Sequence, residues 1–434
     1  MSSILAQQSA NKNIFKDRFG VIAGAGRSGI AAAKVLHMLG AKVRIVDENT
    51  SLEENILEGL GADAQLKTGP LSASGFEGAD IIVLSPGIPS RKIKELLPEF
   101  PDEKIISELE LASSLTDEPI IAITGTNGKT TTTSIISHVL EYAGKSVFTG
   151  GNIGTPLCEH LLQDKRSDVL VLEVSSFQLQ NCYNFRPDAA ILLNISANHL
   201  DYHLDMEEYT EAKLNIFKKQ TADDLAIIAE EMKPMLGSRN FTKAEIKYFN
   251  NDSVEEIPNL PGPHNRGNMH AAMLATAKFG VTAELFIKAV REFKGKPHRI
   301  EYLGTVNGVK FIDDSKATNL DAVCAALNSC SSPVRLLLGG HFKGGDVTTI
   351  IPSMQGKVVE VGLFGAGREY FEAPLKKEFP TSWNEKLEDA VRKLFSTANC
   401  GDTILLSPAT ASFDAYKSYA ARGDDFKRIM EELS

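Results

Sequence analysis

Short apolar runs recur along the chain, and most stop abruptly at glycine, serine, asparagine or a charged residue before a segment of helical apolar spacing. Continuous apolar runs of this kind suit strands buried on both faces, and their alternation with helices predicts parallel α/β layers. Residues 19–23, 42–46 and 80–84 give such strands near the start. Others fall at 120–123, 146–149, 168–173 and 189–193, and again at 309–312, 334–338, 361–364 and 403–406. Helices are predicted at 30–39, over Ile135, Ile136, Val139 and Leu140, at 207–219, at 269–278, and opening from the stretch 407–414. The grouping predicts an α/β chain of three domains. These are a Rossmann-like N-terminal domain (1–107), a central P-loop ATPase-like domain with a parallel sheet (108–296), and a Rossmann-like C-terminal domain (297–434).

The predicted strand ends carry the chemistry. Residues 120–123 run into Gly125, Thr126, Asn127, Gly128, Lys129, Thr130 and Thr131, and then into helical spacing. Strand, glycine turn and helix form a phosphate cradle, in which backbone N–H groups face the anion, lysine reaches the terminal phosphates and a hydroxyl binds magnesium. Ile123 stands where the general pattern has its first glycine, so the loop is a shorter variant. Closer to the N-terminus, Gly24-Ala25-Gly26-Arg27-Ser28-Gly29 completes a Gly-x-Gly-x-x-Gly turn, with Asp47 closing the next strand. That fingerprint fits a dinucleotide or another diphosphate, because the same amides and helix dipole serve both. Ser85, Pro86 and Gly87 make a second glycine loop after 80–84.

In the middle of the chain Glu173 ends the run 168–173, placed either to bind magnesium or as a surface acid. His199 follows 189–193, as a ligand or as a structural histidine. Tyr209, Lys213 and Phe217 share a helical face, where a lysine either snorkels to solvent or needs a partner or a modification. The polar groups of 261–268 (PGPHNRGN) serve nucleotide contact or cap the helix that follows. Towards the C-terminus, three strand ends present Lys316, Lys343 and the hydroxyl-rich stretch 407–414. Two cations and a helix N-terminus favour a small acidic molecule.

Composition narrows the classes. With 43% apolar and 24% charged residues, 434 residues make an ordinary globular chain with several cores. A net charge of −10 argues against nucleic acid or an anionic membrane as partner. Five widely spaced cysteines without a Cys-x-x-Cys fit a reducing compartment and no cysteine metal site. The first residues lack the apolar core of a signal peptide, and no run approaches the ~20 apolar residues of a membrane span. A cytoplasmic monomer is expected.

Taken in order, GTNGKTT (125–131), GGNIG (150–154), LEVSSFQL (172–179), NHLD (198–201), the Lys213 segment, PGPHNRGN (261–268), PHRIE (297–301), DDSKATN (313–319) and LLSPATASFD (405–414) resemble the Mur ligase family over nearly the whole chain. The resemblance implies an ATP-dependent ligase that adds D-glutamate to UDP-N-acetylmuramoyl-L-alanine through an acyl phosphate, with two magnesium ions. It implies that residues 125–131 cradle ATP, with Lys129 on the β- and γ-phosphates and Thr130 and Glu173 on magnesium. His199 and Lys213, the latter as its carbamate, hold a second magnesium. Asn268, Arg299 and Asp314 contact the nucleotide, and Lys316, Thr318, Lys343, Ser412 and Phe413 recognise D-glutamate. Arg27, Ser28, Asp47, Glu48, Asn49, Ser85, Pro86 and Gly87 bind the UDP moiety, with Asn152 and His199 nearer the reacting end. Two positions depart from the family pattern: Asn198, where an aspartate is usual, and Phe342, in a loop that usually has a small or acidic residue. The competing readings are another Mur-type amino-acid ligase, a nicotinamide oxidoreductase built on Gly24–Gly29 and Asp47, and a catalytically silent nucleotide-binding protein.

Overall fold

The computed structural model describes residues 15–433 except 153, 164, 197–201, 238, 256, 258, 259, 261, 294, 296, 331, 332 and 343. The expected roles of His199 and Lys343, and the departure at Asn198, therefore lie outside the described residues. The chain divides into two compact units, Met1–Ser253 with Gly267–Glu292, and Val254–Arg266 with Phe293–Ser434.

The first unit holds two parallel sheets. Strands β1 (Phe19–Ala23), β2 (Lys42–Asp47), β3 (Gln65–Thr68), β4 (Ile81–Leu84) and β5 (Ile105–Ser107) run in the order β3-β2-β1-β4-β5. Strands β6 (Ile120–Thr124), β7 (Val147–Gly151), β8 (Val169–Glu173), β9 (Ala189–Leu192), β10 (Leu225–Ala229) and β11 (Glu245–Phe249) run in the order β11-β10-β9-β6-β8-β7. Every residue of β6, β8, β9 and β10 is buried, as continuous apolar runs demand. β6 lies between β8 and β9, with Ile123 opposite Glu173 and Thr124 opposite Leu192. The loops after these three strands therefore leave the sheet level with one another, at the switch point where open α/β sheets bind ligands. The helix Lys129–Tyr142 starts directly from the loop after β6 and buries Ile135, Ile136, Val139 and Leu140 completely.

Local differences from the sequence pattern have physical causes. The helix expected over 207–219 is α-helical only from Met206 to Leu214 and tightens into a 3-10 turn at Asn215–Phe217, which keeps Tyr209, Lys213 and Phe217 all buried. The helix expected from 269 begins at Pro263, so His264 to Asn268 lie on it rather than in a preceding turn. Strands β3 and β11 went unpredicted because they are edges: β11 buries only Phe249 and shows no apolar run. β10 went unpredicted too, although LAIIA carries the ordinary signal of a core strand.

The second unit carries one sheet, with β12 (Glu301–Val306), β13 (Val309–Asp313), β14 (Val334–Gly339), β15 (Val358–Phe364), β16 (Thr381–Asn384) and β17 (Thr403–Leu406) in the order β12-β13-β17-β14-β15-β16. β12 is antiparallel to β13 through Asn307-Gly308, both at positive φ (50° and 79°), the type I′ hairpin turn that Asn-Gly favours. The C-terminal helix runs Tyr419–Glu432, capped by the Ser418 side chain. The stretch 407–414 is thus a loop after β17, not the helix N-terminus that its hydroxyl content suggested, because Ser418 supplies the cap. Among the described residues no helix is long and apolar enough to cross a membrane.

One buried acid sets a pH dependence. Glu108 opens the helix Glu108–Ser113, is 2% exposed, and accepts the Cys158 N–H at 2.5 Å. Burial pushes its carboxyl up to about 7, against the lowering effect of that hydrogen bond. A carboxyl raised on folding contributes stability that is full below the ordinary glutamate range and is lost as pH rises through 7. Glu108→Gln keeps the acceptor and removes the charge. Its melting temperature should match the parent at pH 5 and exceed it at pH 8 by about 2–4 °C; equal temperatures at both pH values would show that folding leaves the carboxyl's proton affinity unchanged.

Candidate active site

Local sequence and long-range packing jointly shape the phosphate loop. Gly128, just before the helix Lys129–Tyr142, has φ 82°, and a Cβ there would stand 2.6 Å from Asn268 Oδ1. Only glycine lets the loop turn with Asn268 beside it. Asn194, after β9, accepts the Thr126 and Asn127 N–H groups on its side-chain oxygen (3.0 and 2.9 Å) and donates its amide to Asn127 O. The loop is thereby braced from behind, at a helix N-terminus of the kind that suits an anion. Lys129 Nζ donates to Gly125 O and Thr126 O, both at 2.8 Å, curled across the same loop.

Thr130 Oγ1 donates to Glu173 Oε2 at 2.5 Å, and Asn152 Nδ2 donates to Glu173 Oε1 at 2.9 Å. Glu173 is 2% exposed, so both of its oxygens are held by side chains in a largely dry setting. A hydroxyl and a carboxylate are the hard oxygen donors that magnesium prefers, so the pair fits that ion. Lys213, also 2% exposed, reaches across from the helix Met206–Leu214 to donate to Gly125 O at 3.0 Å. Burial, then the neighbouring Lys129 ammonium, pull its amine well below the ordinary lysine value, while Glu173 opposes them. The snorkelling alternative is thereby excluded. Tyr209 OH lies 3.1 Å from Thr126 Oγ1, so the helix is tied to the loop at two points. Asn194 was missed as a brace, its signal being an asparagine at a strand end; Tyr209 was placed on the Lys213 face, but its contact with the loop was not foreseen.

In the first sheet, the ends of β1, β2 and β4 line a cleft of about 400 Å³ that includes Gly24, Arg27, Ser28, Asp47, Glu48 and Ser85 to Gly87. Gly29 packs so tightly that a Cβ would stand 2.0 Å from Gly24 O. Asp47 does not project freely: its oxygens accept the Ala25 N–H (2.6 Å) and the Asn49 N–H (2.8 Å), closing the glycine turn on itself. Ser85 Oγ donates to Gly24 O at 2.9 Å. Asn49 itself is exposed on the following loop.

The second unit gathers residues after β13, β14 and β17. Asp314 is buried and accepts the Ser407 hydroxyl at 2.9 Å; burial drives its carboxyl up to about 7, with Ser407 and then Arg299 pulling the other way. Arg422, wholly buried and missed from sequence, binds the Ser315 hydroxyl (3.0 Å), Ser315 O (2.8 Å) and Thr410 O (3.1 Å), joining the ends of β13 and β17. Lys316 Nζ lies 4.1 Å above the ring of Tyr419, a residue that the sequence pattern passed over. Ser412 is buried, Thr318 is half-buried, and Phe413 is 74% exposed. Asn268 belongs to the first unit and Arg299 and Asp314 to the second.

Three family models match in succession along the chain: the Mur ligase MurD-like N-terminal domain over 18–96, the Mur ligase middle domain over 123–253, and the Mur ligase glutamate ligase domain over 298–410. The chain belongs to the Mur ligase family. Within it, the chain is 45% identical over 417 residues to the UDP-N-acetylmuramoylalanine--D-glutamate ligase of Nitratidesulfovibrio vulgaris (strain DP4), covering 95% of this chain and 96% of that one. It is 46% identical to the ligase of the same name from Oleidesulfovibrio alaskensis, over 94% and 92% of the two chains. Among solved structures, the MurF ligase from Thermotoga maritima in complex with ADP shares the fold, with a TM-score of 0.61 over 97% of this chain and 100% of that one at 17% identity.

Proposed function

We propose that this chain is an ATP-dependent ligase that adds D-glutamate to UDP-N-acetylmuramoyl-L-alanine, in the cytoplasm and as a monomer, on the route to peptidoglycan. The Thr130–Glu173 pair at 2.5 Å, set beside the buried Lys213, is the observation that carries the reading. ATP and magnesium are the cofactors that membership in the family implies. The segments 1–107, 108–296 and 297–434 act as domains for the UDP-substrate, ATP and the incoming amino acid.

In this reading Gly125 to Thr131 cradle the ATP phosphates on backbone N–H groups, and Lys129 balances the β- and γ-phosphate charge. Asn268 stands beside the loop for the nucleotide; Arg299 and Asp314 are assigned to the nucleotide from the family pattern alone. Thr130 and Glu173 would hold one magnesium, and His199 and Lys213 would hold a second. Bound magnesium supplies charge neutralisation, without which a carboxylate and a triphosphate repel. Lys213 serves as its carbamate, because the low amine pKa leaves the lone pair free to add carbon dioxide and give a carboxylate-like ligand. Ser28, Asp47 to Asn49 and Ser85 to Gly87 bind the UDP moiety in the cleft, Arg27 stands at its border with its guanidinium engaged elsewhere, and Asn152 orients the alanyl end beside Glu173. The γ-phosphoryl group passes to the alanyl carboxylate. The amine of D-glutamate, held by Lys316, Thr318, Lys343, Ser412 and Phe413, then attacks the acyl carbon, loses a proton and expels phosphate.

Phosphate release from ATP is expected only when UDP-N-acetylmuramoyl-L-alanine and D-glutamate are both present, with L-glutamate inactive in the same assay. Release that continues unchanged without D-glutamate would overturn the reading.

A further inference from the structure

Arg27 does something in the first unit that its place in the glycine turn does not require. It is the first residue of the helix Arg27–Met38 and borders the cleft after β1. Yet its guanidinium points away from that helix to residues more than a hundred positions on. Nε and Nη2 fork onto Glu159 Oε2 and Oε1 (2.8 and 2.9 Å), Nη1 donates to Gly154 O (2.9 Å), and Nη2 also reaches Thr155 Oγ1 (3.3 Å). A planar fork on a carboxylate fixes orientation as well as distance, which lysine at this position could not do.

The segment it grips leads directly to the magnesium acid. Thr155 O accepts the Gly151 N–H at 3.0 Å, which closes the loop after β7 on itself. In that loop Asn152 is held twice by Glu173, through its N–H to Glu173 O (2.8 Å) and through its side-chain amide to Glu173 Oε1 (2.9 Å). A second bridge runs in parallel. Tyr202 OH donates to Ile88 O at 3.3 Å, on the other wall of the cleft, while its ring packs 4.0 Å from Phe177, just beyond Glu173. The cleft after β1 and the acid that ends β8 are thus linked by two chains of contacts, one of hydrogen bonds and one of a hydrogen bond and ring packing.

We infer that Arg27 is a positioning residue, which sets the loop carrying Asn152 by clamping Glu159, Gly154 and Thr155, and so couples the diphosphate cleft to the reacting end of the substrate. The inference rests on the ligase reading. Arg27 is exposed and Glu159 half-buried, with side chains 58% and 34% accessible, and ion pairs this open to water add little to stability. What the clamp governs is geometry, and a misplacement of about 1 Å at a reacting centre costs about 10²-fold in rate.

Steady-state ligation kinetics of Arg27→Leu, Glu159→Ala and the double variant test it, with UDP-N-acetylmuramoyl-L-alanine as the varied substrate. Each single variant should lose about tenfold in kcat or more, keep its KM for that substrate within about twofold, and melt with the parent. The double variant should be no worse than either single one, because one shared interaction is removed. A tenfold rise in KM confined to Arg27→Leu, with Glu159→Ala unaffected, would make Arg27 a direct phosphate ligand and overturn the clamp. Unchanged kinetics in both would overturn it too. Absence of turnover in the parent chain would instead overturn the ligase reading, and the inference with it.

Discussion

Lys213→Ala should lose about 10²-fold or more of the ligation rate while keeping its fold, and high bicarbonate should not restore it. The expected loss has two sources. The substitution removes the nitrogen that donates to Gly125 O at 3.0 Å, so the loop bearing Lys129 loses one of its tethers. If Lys213 carries the proposed carbamate, it also removes that group's attachment point, and with it an anionic ligand for the magnesium that neutralises the phosphates. Bicarbonate cannot help, because no amine remains to be carbamylated. A short-chain carboxylic acid such as acetate can enter the space left by the side chain and supply the missing carboxylate, giving partial rescue that rises with acid concentration. Full activity in the variant would refute the carbamate role. A loss that no carboxylic acid relieves would reduce Lys213 to a tether of the loop.

Glu173→Ala should lower kcat by about 10³-fold, the scale of losing several kcal/mol of charge stabilisation in the transition state. In the fold, Glu173 is the acceptor for the Thr130 hydroxyl at 2.5 Å and the Asn152 amide at 2.9 Å. Both groups lose their partner in the variant, which destabilises the region by about 1–3 kcal/mol. Loss of stability and loss of catalysis separate in a magnesium titration at a temperature where the variant is folded. The magnesium concentration giving half-maximal phosphate release should rise, and Glu173→Asp, one methylene shorter, should fall between the two. An unchanged magnesium midpoint with an unchanged kcat would remove Glu173 from the metal site.

The parts of the site legible in sequence are those in which the function is local. Gly125 to Thr131 declare a phosphate loop because turn, lysine and hydroxyl are consecutive, and Gly128 at φ 82° shows why glycine stands there. Glu173 was recognisable because a core strand must be apolar and an acid at its end breaks the pattern. Edges were harder. β11, β12 and β16 lie at sheet edges, where exposure to water removes the apolar run, and the Asn307-Gly308 turn that joins β12 to β13 was a signal left unused. The C-terminal helix was placed too early because hydroxyl residues cap helices but also fill loops, and only the backbone tells which.

Sequence by itself determined the alternation of buried parallel strands with helices, the phosphate loop, and the family. The first two follow from periodicity and adjacency, which act over a few residues; the family came from a resemblance carried by the order of motifs along the chain. Tertiary structure decided which distant groups meet. Lys213 arrives at the carbonyl of Gly125 from 88 residues away, and packing around it strips the water that would keep its amine charged. Arg422 buries its guanidinium among the ends of β13 and β17. Arg27, which reads as one letter of a dinucleotide fingerprint, spends its hydrogen bonds on Glu159, Gly154 and Thr155. Spacing along a chain reports which face of an element is dry; which partner waits on the other side is fixed only when the elements pack.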